Sequence, residues 1–143
     1  MKRAWAVLLA TVLGACSGDV ERPGPTGPAG PKLDTRVVRV LSPRPGEVLS
    51  VDAVVREPGL VVVADVSRLA EGGAVRFSVA TDLGSTPFFE RDVIREPGRL
   101  TANTRVPVDV SVLEHASSLR IVATALGPGG ETLGKDAATV VLR

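Results

Sequence analysis

The sequence predicts one all-β domain over residues 34–143, an antiparallel β-sandwich of about seven strands. Apolar and polar residues alternate along most of this range, which is the period of a strand with one buried and one solvated face. Short segments rich in Gly and Pro separate the alternating runs, as turns separate strands. Apart from one helical turn expected at residues 112–117, no segment has the period of a helix.

The alternating runs place the strands in chain order. They cover residues 35–41, 47–56 as one or two short strands, 60–66, 75–79, 86–95, 106–112, 119–125 and 138–142. The clearest run is 106–112, because four valines occupy one face and polar residues or Pro the other. Residues 60–66 are almost entirely apolar, which is typical of a central strand, whereas 86–95 alternate weakly and are expected at a sheet edge.

A shared Glu-Pro-Gly tripeptide predicts two turns, at residues 57–59 and 96–98. Pro followed by Gly suits a type II turn, because that turn needs a positive φ that Gly adopts without strain. The hexapeptides 54–59 and 93–98 are also similar, which leaves two explanations open: an internal duplication, or the recurrence of turn chemistry.

The first residues have the three parts of an export signal. Lys2 and Arg3 precede an apolar run at residues 4–13, which is too short for a span of ~20 residues. Leu13, Gly14, Ala15 and Cys16 follow, and this order resembles the lipobox of bacterial lipoproteins. The resemblance implies a signal peptide at residues 1–15, cleavage before Cys16 and a lipid on its thiol. An ordinary secretory leader cut near Ala15 is the alternative.

The residues after the cysteine predict a tether. Residues 16–33 contain three consecutive Gly-Pro-x triplets but no hydrophobic cluster. Three triplets are too few for a collagen triple helix, so we expect an extended, polyproline-rich spacer. By the sorting rule of the lipoproteins that the leader resembles, Ser17 next to the cysteine favours the outer membrane.

The charge balance excludes a nucleic-acid partner. The chain has 17 basic and 16 acidic side chains, and loss of Lys2 and Arg3 with the leader leaves a net charge of about −1. Nucleic-acid binding needs a clustered basic excess and aromatic stacking platforms, and these charges alternate in sign along the chain. Because Cys16 is the only cysteine, no disulfide within the chain is expected to hold the domain together.

The domain resembles the bacterial immunoglobulin-like domains of cell-surface proteins. An opening strand is followed by Ser42-Pro43-Arg44-Pro45-Gly46, and the chain closes with an Ala-alternating strand, a Gly-rich turn and a Val-rich strand. The resemblance implies an immunoglobulin-like or fibronectin-type-III-like sandwich. Leu126 and Gly127 stand where that family often has Asp, and the core Trp and cysteine pair of antibody domains are missing.

The search for catalytic or metal-binding residues predicts no enzyme and no cofactor. His115 has only Ser117 and Ser118 as nucleophiles close in sequence, so an exposed loop histidine is expected. Asp82, Glu90 and Asp92 are the densest carboxylates, but the arginines among them favour ion pairs over calcium. No metal site is therefore predicted.

Phe88 and Phe89 are the only adjacent aromatics of the domain. Neighbours on a regular strand point to opposite faces, and burying Phe88 would also carry two carboxylates inward. We therefore expect Phe89 inside and Phe88 outside, where it could contact a partner; a bulge that buries both rings is the alternative.

These features predict a lipid-anchored module of the bacterial cell envelope that is not an enzyme and that contacts a protein or acts as a spacer. The membrane is its first expected partner, through Cys16, and an envelope protein its second. Carbohydrate- or calcium-binding accessory modules are the alternatives, with a hydrolase behind them. Sugar sites stack on Trp or Tyr, and the chain without its leader has neither.

Replacing Cys16 with Ala is expected to abolish anchoring, because the thiol is the lipid acceptor. In cells fed a labelled fatty acid, the wild-type protein should carry the label and sediment with membranes, and the variant should do neither. Ser17→Ala is the matched control that keeps the thiol. A freely soluble, unlabelled wild-type protein would contradict the lipid anchor.

Overall fold

The computed structural model describes residues 35–143, which contain eight strands and two short helices. The elements are β1 (Arg39–Ser42), β2 (Val48–Leu49), α1 (Val51–Val55), β3 (Leu60–Asp65), β4 (Ala74–Thr81), β5 (Phe89–Ile94), β6 (Thr101–Val106), α2 (Val110–Leu113), β7 (Ser118–Leu126) and β8 (Thr132–Leu142). The leader and tether predicted at residues 1–33 lie outside the described residues.

The strands form two sheets, which confirms the prediction of an all-β fold. One sheet has the order β1-β3-β6 and the other the order β2-β8-β7-β4-β5. Every strand pair is antiparallel except β2 with β8, which is parallel. The chain therefore crosses from the first sheet to the second three times, after β1, after β3 and after β6.

Both sheets bury their inward side chains in one apolar core. Phe77 is its largest member, and the others are mostly valine, leucine and alanine. Burying an aliphatic side chain of this kind stabilises a fold by roughly 1.5–3 kcal/mol, so the alternating strands supply the main favourable term. The core from β4 and β7 consists of Val75, Phe77, Val79, Leu119, Ile121, Ala123 and Ala125.

One carboxylate joins the two sheets where β1 passes β8. Asp136 of β8 accepts hydrogen bonds from the Val40 N–H of β1 and from Nη1 of Arg36, both at 2.9 Å. Its side chain is 15% exposed. Hydrogen bonds to charged groups are stronger than neutral ones, so this contact fixes the position of β1 against the second sheet.

The strand predicted at residues 106–112 is wrong beyond Val106. Burial alternates from Thr101 to Val108, but the strand β6 precedes the predicted run and ends at Val106. Pro107 lacks an N–H, and the Asp109 carboxylate then accepts the Ser111 N–H and begins the helix α2. Sequence reasoning missed β6 because its inward residues before Val106 are only Ala and Thr.

The strands predicted at residues 47–56 are also partly wrong. Only Val48–Leu49 is a strand, and Ser50 then caps the helix α1 by accepting the Ala53 N–H at 3.1 Å. The two similar hexapeptides therefore differ in structure, because residues 54–59 leave a helix and 93–98 leave a strand.

The two Pro-Gly segments share the predicted positive φ but not the same turn. Gly59 and Gly98 have φ values of 77° and 73°. At residues 96–99 the Arg99 N–H closes the turn onto the Glu96 carbonyl, as a type II turn requires. At the other segment the turn closes one residue earlier, from the Gly59 N–H to the Arg56 carbonyl.

The prediction of an outward Phe88 is wrong, whereas the edge position of its strand is confirmed. β5 is an outer strand of the five-stranded sheet, and Phe88 and Phe89 are both half-buried and packed against the core. Phe89 lies opposite Val79, and the Phe88 N–H donates to the same residue's carbonyl at 2.9 Å. Two successive residues thus face one residue of β4, as in a bulge, and the strict alternation fails there.

Replacing Thr104 with Val is expected to raise the free energy of unfolding by about 1 kcal/mol. Thr104 is 4% exposed, and its hydroxyl has no hydrogen-bond partner among the described residues. A methyl group of the same shape removes the cost of burying that hydroxyl. Denaturant unfolding measures the change, with the exposed Thr101→Val as a control near zero. A less stable Thr104→Val variant would show that the hydroxyl has a partner.

Replacing Phe88 or Phe89 with Ala is expected to cost a similar amount, about 2 kcal/mol each, because both rings pack against the core but neither is fully buried. Thermal and denaturant unfolding measure both losses. Leu83→Ala, in the exposed loop before them, should cost under roughly 0.5 kcal/mol. A large loss at Phe89 with almost none at Phe88 would restore the outward position of Phe88.

Candidate functional site

The outer face of the five-stranded sheet carries a row of polar side chains. The strand registers align Lys135, Thr124, Arg76 and Asp92 across β8, β7, β4 and β5. Arg76 binds both carboxylate oxygens of Asp92, at 2.7 and 3.0 Å. This hydrogen bond lowers the pKa of Asp92 and raises the pKa of Arg76. Arg76 therefore largely balances the charge of Asp92, while the register partner of Lys135 on β7 is the neutral Thr124.

A shallow depression of about 330 Å³ lies beside this row. Its floor is made of small or partly apolar side chains, since the next rows of the sheet bring together Ser78, Ala80, Val122 and Ala137. Small side chains let a partner approach the sheet backbone closely. Arg120 and Lys135 line the depression, and Ser85 and Pro87 add a wall from the loop between β4 and β5.

A second depression of about 510 Å³ lies on the other side of β8, beside β1. Arg36, Arg39 and Arg44 line it, and Asp136 and Ala137 line both depressions. The two depressions form one surface, which we call the β8 basic surface. Its charged side chains are Arg36, Arg39, Arg44, Arg120, Lys135 and Asp136.

Arg44, Arg120 and Lys135 give the β8 basic surface a positive excess even when Arg36 and Arg39, which have further interactions, are left out of the count. Its one carboxylate, Asp136, is turned to the backbone of β1 and to Arg36, and so lies between the sheets. Such a potential attracts acidic groups and raises the rate at which they associate. Sequence reasoning missed this surface, because Arg44 and Arg120 are far apart in the chain and only the sheet arrangement brings them to either side of β8.

Of the residues predicted to carry function, the lipobox residues Leu13, Gly14, Ala15 and Cys16 lie outside the described residues. Phe88 is half-buried and packs against the core. The expected exposure of His115 is confirmed, since its side chain is 85% exposed. Its Nε2 lies 3.8 Å from Oε1 of Glu114.

The three carboxylates considered for calcium have separate partners. The Asp82 carboxylate accepts the Ser117 N–H at 3.0 Å, whereas Asp92 binds Arg76 and Glu90 lies 3.8 Å from the same arginine. The expected use in ion pairs is confirmed for Asp92, although its partner is Arg76 rather than Arg91 or Arg95. Within residues 35–143, no group of three or more His, Cys, Asp or Glu side chains is arranged to hold a metal ion.

Within the described part of the chain, no helix is long and apolar enough to cross a membrane. Comparison of the chain with protein-family models, with curated proteins and with solved structures finds no match.

Proposed function

We propose that the protein is a lipid-anchored, non-catalytic module of the bacterial cell envelope that binds an acidic protein partner through the β8 basic surface. The lipid on Cys16 holds it at the membrane, and Ser17 next to the cysteine favours the outer membrane. The tether at residues 16–33 spaces the domain from the bilayer. The observation that carries the proposal is the positive excess around the two depressions on either side of β8.

The sequence supports the lipid anchor. A basic start, a short apolar run and Leu13-Gly14-Ala15-Cys16 occur in the order that lipoprotein processing requires. One acyl chain gives marginal membrane binding, while two or more give stable anchoring. The residues between Cys16 and the first strand supply the spacer.

The strand order supports an immunoglobulin-like type for the domain. In immunoglobulin domains one sheet contains the first, second, fourth and fifth strands and the other contains the third, sixth and seventh. When β1 and β2 are counted as halves of one split first strand, β3 to β8 are the second to seventh strands and match this arrangement, except that β5, the fourth, lies on the second sheet. The pairing of β2 parallel to the last strand fits the same scheme.

The shape and charge of the β8 basic surface favour a protein partner. Protein interfaces combine a tightly packed, less polar centre with a polar rim. The small and apolar side chains of Ala80, Val122 and Ala137 on the floor of the first depression correspond to such a centre. Arg120 and Lys135 then select acidic side chains and increase the association rate.

A photo-reactive amino acid at Ala137 tests the proposal in intact cells, because Ala137 is exposed and lines both depressions. We expect a discrete adduct with an envelope protein, reduced about tenfold by Arg120→Glu with Lys135→Glu and weakened by salt. As a control for position, the photo-reactive amino acid replaces Glu57, which is exposed but does not line either depression.

Adducts of equal pattern and yield at both positions, or adducts unaffected by charge reversal, would overturn the proposed binding surface. Measuring fatty-acid labelling in the same cells keeps the anchor separate from the partner site. A labelled protein without an adduct at Ala137 would retain the anchor and reject the partner.

A further inference from the structure

The outer face of the five-stranded sheet is not polar throughout. An antiparallel sheet with one solvated face normally carries polar side chains there. The row through Lys135 and Arg76 follows this rule, but the two rows beside it contain small or apolar residues that form the floor of the first depression: Ser78, Ala80, Val122 and Ala137. No side chain of this floor extends far from the sheet, so the main chain of a partner can approach it closely.

Two cationic side chains lie at opposite corners of this floor. Lys135 and Arg120 both line the first depression, and both are exposed. Lys135 is the register partner of Thr124, which is four residues from Arg120 on β7. Four residues of a strand span about 14 Å at ~3.4 Å per residue. The register pair of Ala137 and Val122 lies midway between the two cations.

These two cations are not neutralised within the described domain. Among the ion pairs of residues 35–143, none involves Arg120 or Lys135. The two carboxylates on β5 both approach Arg76 instead. Asp136 accepts the N–H of a residue of β1 and is turned away from the outer face. An acidic partner therefore meets two separate positive charges with an uncharged floor between them.

The distance between the two cations favours an extended partner segment. In an extended chain, side chains four positions apart share a face and are about 14 Å apart, with the side chain at the second position midway between them. In a helix, side chains on one face recur at about 5 or 11 Å for one or two turns. Only the extended segment places two acidic groups at the two cations and a third side chain on the floor.

The width of the depression also disfavours a helix. The depression reaches from β4 to β8, which is about 10 Å at ~4.8 Å per strand. Ser85 and Pro87 form a wall on the β4 side. A helix with its side chains is about 10–12 Å wide and would rest on this wall, whereas a single extended chain fits beside it.

We infer that the β8 basic surface binds an extended segment of its partner that carries two acidic residues four positions apart and a small apolar residue midway between them. One carboxylate pairs with Lys135 and the other with Arg120, while the middle side chain contacts Ala137 and Val122. This inference rests on the proposed acidic partner and specifies the conformation and charge spacing of the segment that is bound.

A series of synthetic peptides tests the spacing. Each nine-residue peptide contains two Glu, a central Val and six Ser, and the two Glu are separated by two, four or six positions. Fluorescence anisotropy measures their binding at low salt to the full chain, purified from membranes in mild detergent. We expect the spacing of four to bind about fivefold more tightly than the other two, because each of those loses one exposed ion pair.

A charge exchange tests the two contacts. Arg120→Glu with Lys135→Glu should lose the Glu peptides and bind the peptide with two Lys four positions apart. Arg105→Glu makes the same change of charge at an exposed position on β6 of the other sheet, and it should keep the original preference. Arg120→Glu alone should prefer a peptide with one Glu and one Lys in one of the two orders, which gives the direction of the bound chain.

Equal affinity at the three spacings would indicate a general attraction of polyanions and would overturn the inference. Absence of binding by every peptide, or a folded charge-reversed variant that does not bind the Lys peptide, would also reject it. The spacing series uses the unchanged chain, so it does not depend on the folding of any variant. An adduct at Ala137 without a spacing preference would reject this inference alone, whereas loss of the adduct would reject the proposed partner as well.

Discussion

The described domain depends on burial of the inward faces of two sheets against each other. The sequence has a single cysteine, in the predicted leader junction, so the domain has no disulfide of its own. Phe77 is the largest core side chain, and most others are valine or alanine. Each of these small side chains buries only a modest apolar area. A stable core therefore needs many strands whose apolar residues all point inward. The alternation of the strands is therefore the constraint from which the other features follow.

The same alternation decides where the charges lie. β8 is the longest strand, and Ala138, Val140 and Leu142 point inward along its last residues. Further back, Lys135 faces outward, while Asp136 has the inward phase and reaches β1. One strand therefore supplies a bond between the sheets and a side chain of the β8 basic surface. A shift by one residue would exchange these roles and place the lysine between the sheets.

The outer face of the five-stranded sheet has the features of a binding surface. The face around Ala137 combines small side chains with positive charge, which suits an acidic partner. The lipid anchor proposed at Cys16 would confine the protein to one membrane and thereby raise its local concentration toward a partner in the same membrane.

The sequence by itself determined the all-β class, the outer position of β5 and the positions of the Gly-rich turns, because these depend on local period and on φ. It also contains the lipobox pattern, on which the proposed localisation rests. The helix α1 was missed, and the helical turn expected at residues 112–117 was placed two residues after the start of α2. The capping residues Ser50 and Asp109 are visible in the sequence, but the valines around them also fit a strand. At Phe88 a bulge ended the alternation on which the prediction relied.

Only the tertiary structure decided the strand β6 and the β8 basic surface. The inward residues Ala102 and Thr104 carry too little apolar area to indicate a strand, and β6 forms because β3 pairs with it along its whole length. Arg44 and Arg120 come to either side of β8 through strand order and register, which are set by contacts between distant segments. Local patterns determine which residues turn inward, but only long-range pairing determines which outward residues become neighbours.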